Sequence, residues 1–254
     1  MNPTSKPVAV VTGSTAGIGA AVARRLATDG YTVVVNGRSQ DRVDAVVESI
    51  RASGAEALGA VADLSDPGSI PPLFEHLRDA VGRVDVLVNN AGFATIGASA
   101  DFPLRRWDRV LALNLTAPFV AAQQAHPMMV ESGGGVVINM SSIYGAIAAP
   151  MRAAYISSKH GLIGLTKALA TEWATDNIRV VSVVPSYIET EVIAASRQAG
   201  HFDPAATLAR TPLRRLGTVE EVADVVAFAV SDAARYITGS TIHADGGWLA
   251  FGGA

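Results

Sequence analysis

Short, almost wholly apolar runs recur through this chain and alternate with longer stretches of helical character. Val8–Val11, Thr32–Val35, Glu56–Ala62, Val84–Val88, Val136–Met140, Arg179–Val184 and Ser240–His243 have the length and β-branched content of strands. Between them, Ile18–Thr28, Asp41–Ala52, Ile70–Val81, Trp107–Val130 and Ala154–Thr175 read as helices, with Gly30, Gly54 and the Gly133–Gly135 run among their stops. Strands apolar on successive rather than alternate residues are buried on both faces, as parallel strands are. Parallel strands joined through helices require right-handed crossovers. The expected fold is therefore α/β, a doubly wound parallel sheet of about seven strands with helices on both faces, forming one domain over residues 1–254. The polar, irregular stretch Tyr187–Thr218 breaks the alternation after a strand's carboxyl end and is expected to be a lid over the ligand crevice.

Composition removes several classes of function. Twenty basic and 23 acidic side chains leave a net charge of −3, which gives no field to attract nucleic acid. The absence of cysteine excludes a disulfide scaffold, an iron–sulfur centre and a thiol nucleophile, and fits a reducing cytoplasm. His76, His126, His160, His201 and His243 have no ligand spacing, so no catalytic metal is expected. Residues 1–7 lack the apolar core of a signal peptide, and no apolar run reaches the ~18 residues of a membrane span, so a soluble cytoplasmic protein is expected.

The first strand runs into Thr12-Gly13-Ser14-Thr15-Ala16-Gly17-Ile18-Gly19, which opens the first helix. Glycines at such a junction let the backbone turn sharply and bring its amides, with the helix N-terminus, close to a pyrophosphate. The spacing G-x-x-x-G-x-G differs from the commoner G-x-G-x-x-G. Asp63-Leu64-Ser65 follows the third strand, Asn89-Asn90-Ala91-Gly92 the fourth, and Asp245-Gly246-Gly247 lies near the end. With Asn114 in the long helix and Tyr155-Ile156-Ser157-Ser158-Lys159 further on, these motifs span almost the whole chain. Together they resemble those of the short-chain dehydrogenase/reductase family, whose Rossmann fold the alternation also fits.

The resemblance implies that Gly13, Ser14, Thr15, Gly17, Ile18 and Gly19 hold the cofactor pyrophosphate, that Asp63 and Leu64 meet the adenine, and that Asn90, Ala91 and Gly92 line the dinucleotide. Choice of dinucleotide falls at the end of the second strand, where NAD specificity usually needs an acid for the ribose 2′-hydroxyl. This chain has Asn36-Gly37-Arg38-Ser39 there. Arg38 and Ser39 suit a 2′-phosphate, through charge-assisted hydrogen bonds, so NADP(H) is favoured over NAD(H). The loop lacks a second basic residue, since Ala16 occupies that place.

Tyr155 and Lys159 stand at i and i+4 on one helix face. A free phenol, with a pKa of about 10, is a poor base at neutral pH, and a nearby ammonium favours its ionised form. Ser142 lies thirteen residues before Tyr155, the offset of the family's catalytic serine, which selects it over Ser141. The resemblance implies hydride transfer between a nicotinamide and a ketone or secondary alcohol, with Tyr155 as acid/base and Ser142 holding the oxygen. Lys159 would also contact the nicotinamide ribose, and Asn114 would help a proton relay.

After the sixth strand the family has Pro-Gly, but this chain reads Pro185-Ser186-Tyr187-Ile188-Glu189-Thr190. Pro185, Ile188 and Thr190 keep the family pattern expected to hold the carboxamide. The substrate pocket is expected to involve Ser142, Ile143, Tyr144, Met151, Tyr187 and Val192, with Ala94 and Ile193. This mostly apolar lining suggests a moderately hydrophobic ketone, reduced with NADPH. Arg152, Glu189 and Arg197 could each read a polar substituent, but solvated surface charges are the favoured reading of them. The family's tetramers imply a homotetramer built through the two longest helices and the C-terminal strand, with a dimer as the alternative. Alternatives are an NAD-dependent alcohol dehydrogenase of the same family, a sugar-nucleotide epimerase, for which the chain is too short, and a dinucleotide-binding regulator without chemistry.

Overall fold

A computed structural model describes residues 6–198 and 202–252. Residues 199–201 of the expected lid, and the side chain of Val192, lie outside the described residues. Seven strands, β1 (Val8–Val11), β2 (Thr32–Gly37), β3 (Ala57–Val61), β4 (Val86–Asn89), β5 (Gly135–Met140), β6 (Ile178–Pro185) and β7 (Thr241–Ala244), form one sheet in the order β3-β2-β1-β4-β5-β6-β7. Every pairing is parallel.

Alternate residues of each strand feed opposite faces of the sheet, because side chains in a strand point up and down in turn. Ala9, Val11, Val33, Val35, Ile138 and Val181 pack with Leu26, Ile50 and Val222 beneath α1 (Gly17–Thr28), α2 (Gln40–Ala52) and a C-terminal helix. Val8, Val10, Val34, Leu87, Val137 and Val180 pack with Phe74, Met129 and Leu169 on the other face. The helices there are α3 (Ile70–Val81), α5 (Ala117–Glu131) and α6 (Ala153–Glu172). Each fully buried Val or Leu of these clusters contributes roughly 1.5–3 kcal/mol of apolar transfer energy. Among the described residues no helix is long and apolar enough to cross a membrane.

Three parts of the chain differ from the sequence expectation. The long helix expected at Trp107–Val130 is two helices, α4 (Leu104–Leu111) and α5, joined by a π-helical turn at Ala112–Thr116. The apolar spacing continues across that turn, so periodicity does not reveal it. The lid is not irregular: it carries α7 (Glu191–Gln198) and α8 (Pro204–Arg210). Asp203 caps α8 by accepting from the Ala205 and Ala206 amides, and Pro204 supplies a preset first turn. A further helix, α9 (Val219–Val230), was missed by the sequence reading, although its start is legible. Thr218 Oγ1 accepts from the Glu221 amide at 3.2 Å, and Glu221 Oε2 accepts from the Thr218 amide at 2.8 Å, a complete capping box.

Candidate active site

The strand order reverses between β1 and β4, and the crevice beyond their carboxyl ends is where doubly wound sheets take ligands. Thr12 ties the two loops there together: its hydroxyl donates to the Val88 carbonyl at 3.2 Å and accepts from the amides of Asn90 and Ala91 at 2.9 and 3.0 Å. Asn90 Nδ2 donates back to the carbonyls of Thr12 and Gly13, each at 3.0 Å. Gly13 has a φ of +61°, and a Cβ there would stand 2.9 Å from Ala91 Cα. A Cβ on Gly19 would run into Asn90 Nδ2 and the Gly13 carbonyl. Both glycines are therefore fixed by close backbone approach. Ala16 caps α1 without a side-chain hydrogen bond, so the first-turn amides keep their donors for a ligand.

These residues open onto a cavity of about 770 Å³ that runs from the glycine loop to α6. Of the predicted cofactor residues, Gly13, Thr15, Gly17, Ile18, Gly19, Arg38, Asp63, Leu64, Asn90, Ala91, Gly92, Tyr155, Lys159, Pro185 and Thr190 line it. Ser14, Ser39 and Ile188 do not. Ser14 is fully buried beneath the loop, donating to the Val11 carbonyl at 2.7 Å and accepting from the Asn36 amide at 3.0 Å. Ser39 is exposed at the start of α2. Ile188 is buried and bridges to Gly217. The cradle of small residues, amides and an open helix N-terminus fits a dinucleotide pyrophosphate.

At one end, Arg38 stands exposed on the rim beside Asp63. Burial raises the Asp63 carboxyl, but hydrogen bonds from Ser65 and the charges of Arg38 and Arg109 bring it below its ordinary value. Arg109 and Asn36 are lining residues that sequence reasoning missed. Arg109 arrives from α4 with its guanidinium 5.6 Å from the Phe93 ring, a tertiary placement with no local signal. Asn36 follows the apolar run of β2 and holds the loop, accepting from the Gly13 amide at 3.3 Å and donating to Ala60 at 3.0 Å.

At the other end, α6 presents Tyr155 and Lys159 one turn apart, and β5 delivers Ser141 and Ser142. Ser142 Oγ accepts from the Tyr144 amide at 3.3 Å and acts on the Tyr155 phenol, whereas Ser141 is the serine that lines the cavity, its hydroxyl donating to the Lys159 carbonyl at 3.1 Å. Lys159 Nζ donates to the Met140 carbonyl at 2.7 Å and lies 5.7 Å from the Tyr155 ring centre. Burial lowers the Lys159 ammonium from 10.5 to about 8. Burial also raises the Tyr155 phenol, against the lowering effects of Ser142 and Arg152. The lysine thus loses its proton before the phenol does, and in the protein alone its charge does not bring Tyr155 down as its spacing suggests.

Asn114 sits fully buried in the π turn, whose wider ring turns its side chain toward Phe93 and α6. Its Nδ2 donates to the Phe93 carbonyl at 3.0 Å and to Ser158 Oγ at 3.1 Å, and Ser158 donates on to the Tyr155 carbonyl at 2.7 Å. A Cβ on Gly92 would stand 3.1 Å from Asn114 Oδ1 and 3.5 Å from Lys159 Nζ.

Of the predicted substrate residues, Ile143 is buried with Val184 and Trp248, behind the half-buried Tyr144 and Tyr187. Met151 is exposed at a φ of +62°. Glu189 and Arg197 pair with each other at 3.3 Å. Ser186, standing where the family has glycine, donates to the Asp245 carbonyl at 3.2 Å. The Asp245 carboxylate accepts from the Gly247 and Leu249 amides, each at 2.9 Å, so the terminal Asp-Gly-Gly shapes a turn.

A family model described as enoyl-(acyl carrier protein) reductase matches residues 13–249. The D-beta-hydroxybutyrate dehydrogenase of Rhizobium meliloti is 36% identical over 253 residues, covering 95% of this chain and 98% of its own. The 3-oxoacyl-(acyl-carrier-protein) reductase FabG of Staphylococcus aureus is 38% identical over 240 residues, covering 94% and 96%. A putative NAD(P)-dependent gluconate 5-dehydrogenase from Beutenbergia cavernae, solved with bound NADP, superposes with a TM-score of 0.91 at 37% identity, over 97% of this chain and 98% of that one. A matching glycine cradle, a serine–tyrosine–lysine cluster at its far end and full-length likeness to these oxidoreductases place the chain in the short-chain dehydrogenase/reductase family, as an enzyme acting on CH–OH donors.

Proposed function

We propose that this enzyme interconverts a ketone and a secondary alcohol, working as an NADPH-dependent carbonyl reductase. The observation that carries this reading is the placement of Tyr155 and Lys159 one turn apart on α6, both lining the cavity that begins at the glycine loop, with Ser142 acting on the phenol. Bound in the cleft, the nicotinamide dinucleotide supplies or accepts the hydride. Tyr155 Oη gives its proton to the carbonyl oxygen in reduction and takes it from the carbinol in oxidation. Its raised pKa keeps that proton in place at neutral pH, which suits the reductive direction. Ser142 Oγ shares the substrate oxygen with Tyr155 and fixes its approach. Lys159 would hold the cofactor ribose, and Asn114 positions α6 through Ser158.

The amides of residues 13–19 would hold the pyrophosphate. Arg38, with Ser39 beside it, supports NADP(H) over NAD(H), because its guanidinium stands exposed on the rim and no acid ends β2. Thr190 and Pro185, which line the cavity, would hold the carboxamide end, with the Ile188 backbone behind them. The NADP bound to the gluconate dehydrogenase relative is consistent with this assignment.

The enzyme works in the cytoplasm as a homotetramer assembled through α5 and α6. Phe119 and Val130 on α5 are each more than two-fifths exposed, apolar surface that a partner helix would cover. A monomer in light scattering overturns the assembly. NADPH oxidation against a panel of ketones, with NADH in parallel, tests the rest. Preference for NADH overturns the cofactor assignment, and failure of every ketone and alcohol overturns the reaction.

A further inference from the structure

The proposed chemistry leaves a group of side chains beyond Tyr155 without a task. Tyr144 meets the Tyr155 ring edge-on at 6.2 Å, and its hydroxyl lies 2.9 Å from that of Tyr187. Tyr187 packs in turn on Trp248 at 5.1 Å and on Phe202 at 5.5 Å. Together they form one aromatic wall leading away from the reacting phenol and under the lid. Two arginines lie on this wall. The Arg152 guanidinium is 5.2 Å from the Tyr144 ring centre, and that of Arg210, from α8, is 4.8 Å from the ring of Trp248.

Among the described residues, neither guanidinium has a carboxylate partner or a hydrogen-bond acceptor. Other lid arginines do: Arg197 pairs with Glu189 and Arg215 with Glu221. A guanidinium lying on an aromatic face is oriented by the ring while its N–H donors stay directed outward at the edge. That arrangement is preorganised for a planar, bidentate anion. Electrostatics agree with the placement. The charge of Arg152 acts on the phenols of both Tyr155 and Tyr187, and that of Arg210 acts on Tyr187.

We propose that the substrate is a keto or hydroxy acid, its carboxylate held by Arg152 and Arg210 on the aromatic wall while its carbonyl or carbinol lies at Tyr155 and Ser142. The proposal rests on the reading of Tyr155 as acid/base and adds the class of molecule it serves. It reverses the expectation of a hydrophobic ketone drawn from the lining residues. The aromatic side chains that make the lining apolar by composition are the platforms on which two unpaired cations lie. Arg152 is fixed by the helix entry before Tyr155, and Arg210 belongs to the lid, so an anion would join the two elements.

The test uses α-, β- and γ-keto carboxylates, each beside its own methyl ester, with NADPH and NADH. At least one carboxylate is expected to exceed its ester in kcat/KM by about ten- to hundredfold, the worth of a charge-assisted contact. Arg152→Gln and Arg210→Gln should each shrink that ratio about tenfold, mainly through KM, and added salt should shrink it in the wild type. Circular dichroism and NADPH fluorescence check that the variants fold and bind cofactor. Esters or neutral ketones reduced as well as the acids, or an unchanged ratio in both variants, overturn the carboxylate site and leave Tyr155 standing. Failure of acids, esters and neutral ketones alike, with both cofactors, overturns the Tyr155 reading and this inference with it.

Discussion

Asn114 and Phe93 grip each other through a reciprocal pair of hydrogen bonds: the Phe93 amide donates to Asn114 Oδ1 at 3.1 Å, and Asn114 Nδ2 donates to the Phe93 carbonyl at 3.0 Å. The side chain thereby replaces a strand for the loop after β4, while its second amide hydrogen reaches α6 through Ser158. Replacing Asn114 with alanine should leave half-buried backbone groups of Phe93 and the buried Ser158 hydroxyl without their partner, and cost about 1–3 kcal/mol of stability. Urea denaturation measures this, and an unchanged midpoint would show that the link carries no weight.

Tyr155→Phe removes the phenol hydroxyl on which Ser142 acts and leaves the ring in place. The variant should fold and bind NADPH while losing roughly 10²–10⁴-fold in turnover, the usual worth of a positioned acid–base group. Turnover above a tenth of the wild-type rate refutes Tyr155 as the acid.

Lys159 predicts a pH-dependent stability. Its folded-state pKa is lowered by burial from 10.5 to about 8, so below pH 8 the folded protein carries a charge that burial disfavours. Between about pH 8 and 10.5 the unfolded chain binds more protons than the folded one, and wild-type stability gains as pH rises through that window. Lys159→Met is neutral throughout. It gains on the order of 3 kcal/mol from the relieved burial and loses about 1 from the Met140 hydrogen bond. The variant should therefore melt ~4–8 °C above wild type at pH 7, with the gap closing toward pH 10. It should also lose turnover and cofactor affinity. A gap that stays constant with pH rejects the buried charge as its cause.

Arg38 stands exposed on the cavity rim, where its charge lowers the Asp63 carboxyl but no hydrogen bond or ion pair holds it among the described residues. Arg38→Asp puts a carboxylate where a 2′-phosphate would lie and offers an acceptor for a 2′-hydroxyl. It should lower kcat/KM for NADPH by about 1.5–3 kcal/mol, roughly ten- to hundredfold, and improve NADH. Equal loss with both cofactors would assign Arg38 a structural role.

The sheet was legible because its central strands, such as β1 and β6, are apolar on successive residues, and burial on both faces makes that pattern stable. The glycine loop was legible because a backbone approach that excludes Cβ leaves one residue type. Ser14 shows the limit of motif reading: it belongs to the loop in sequence, but its hydroxyl is turned under it to Val11 and Asn36. Arg109 shows the converse, since a residue distant in sequence reaches the cavity only because α4 packs across the β4 loop. The start of α9 was written in Thr218 and Glu221 and went unread.

What the sequence determined by itself is the parallel sheet, the dinucleotide cradle and the i, i+4 pairing of Tyr155 with Lys159, because each follows from a local periodicity or a steric need that few residues meet. Tertiary structure alone decided the π turn that aims Asn114, the order in which Lys159 and Tyr155 give up their protons, and the seating of Arg152 and Arg210 on one aromatic wall. Those depend on burial and on contacts between segments far apart in the chain. Desolvation and distance have no counterpart in spacing along a sequence.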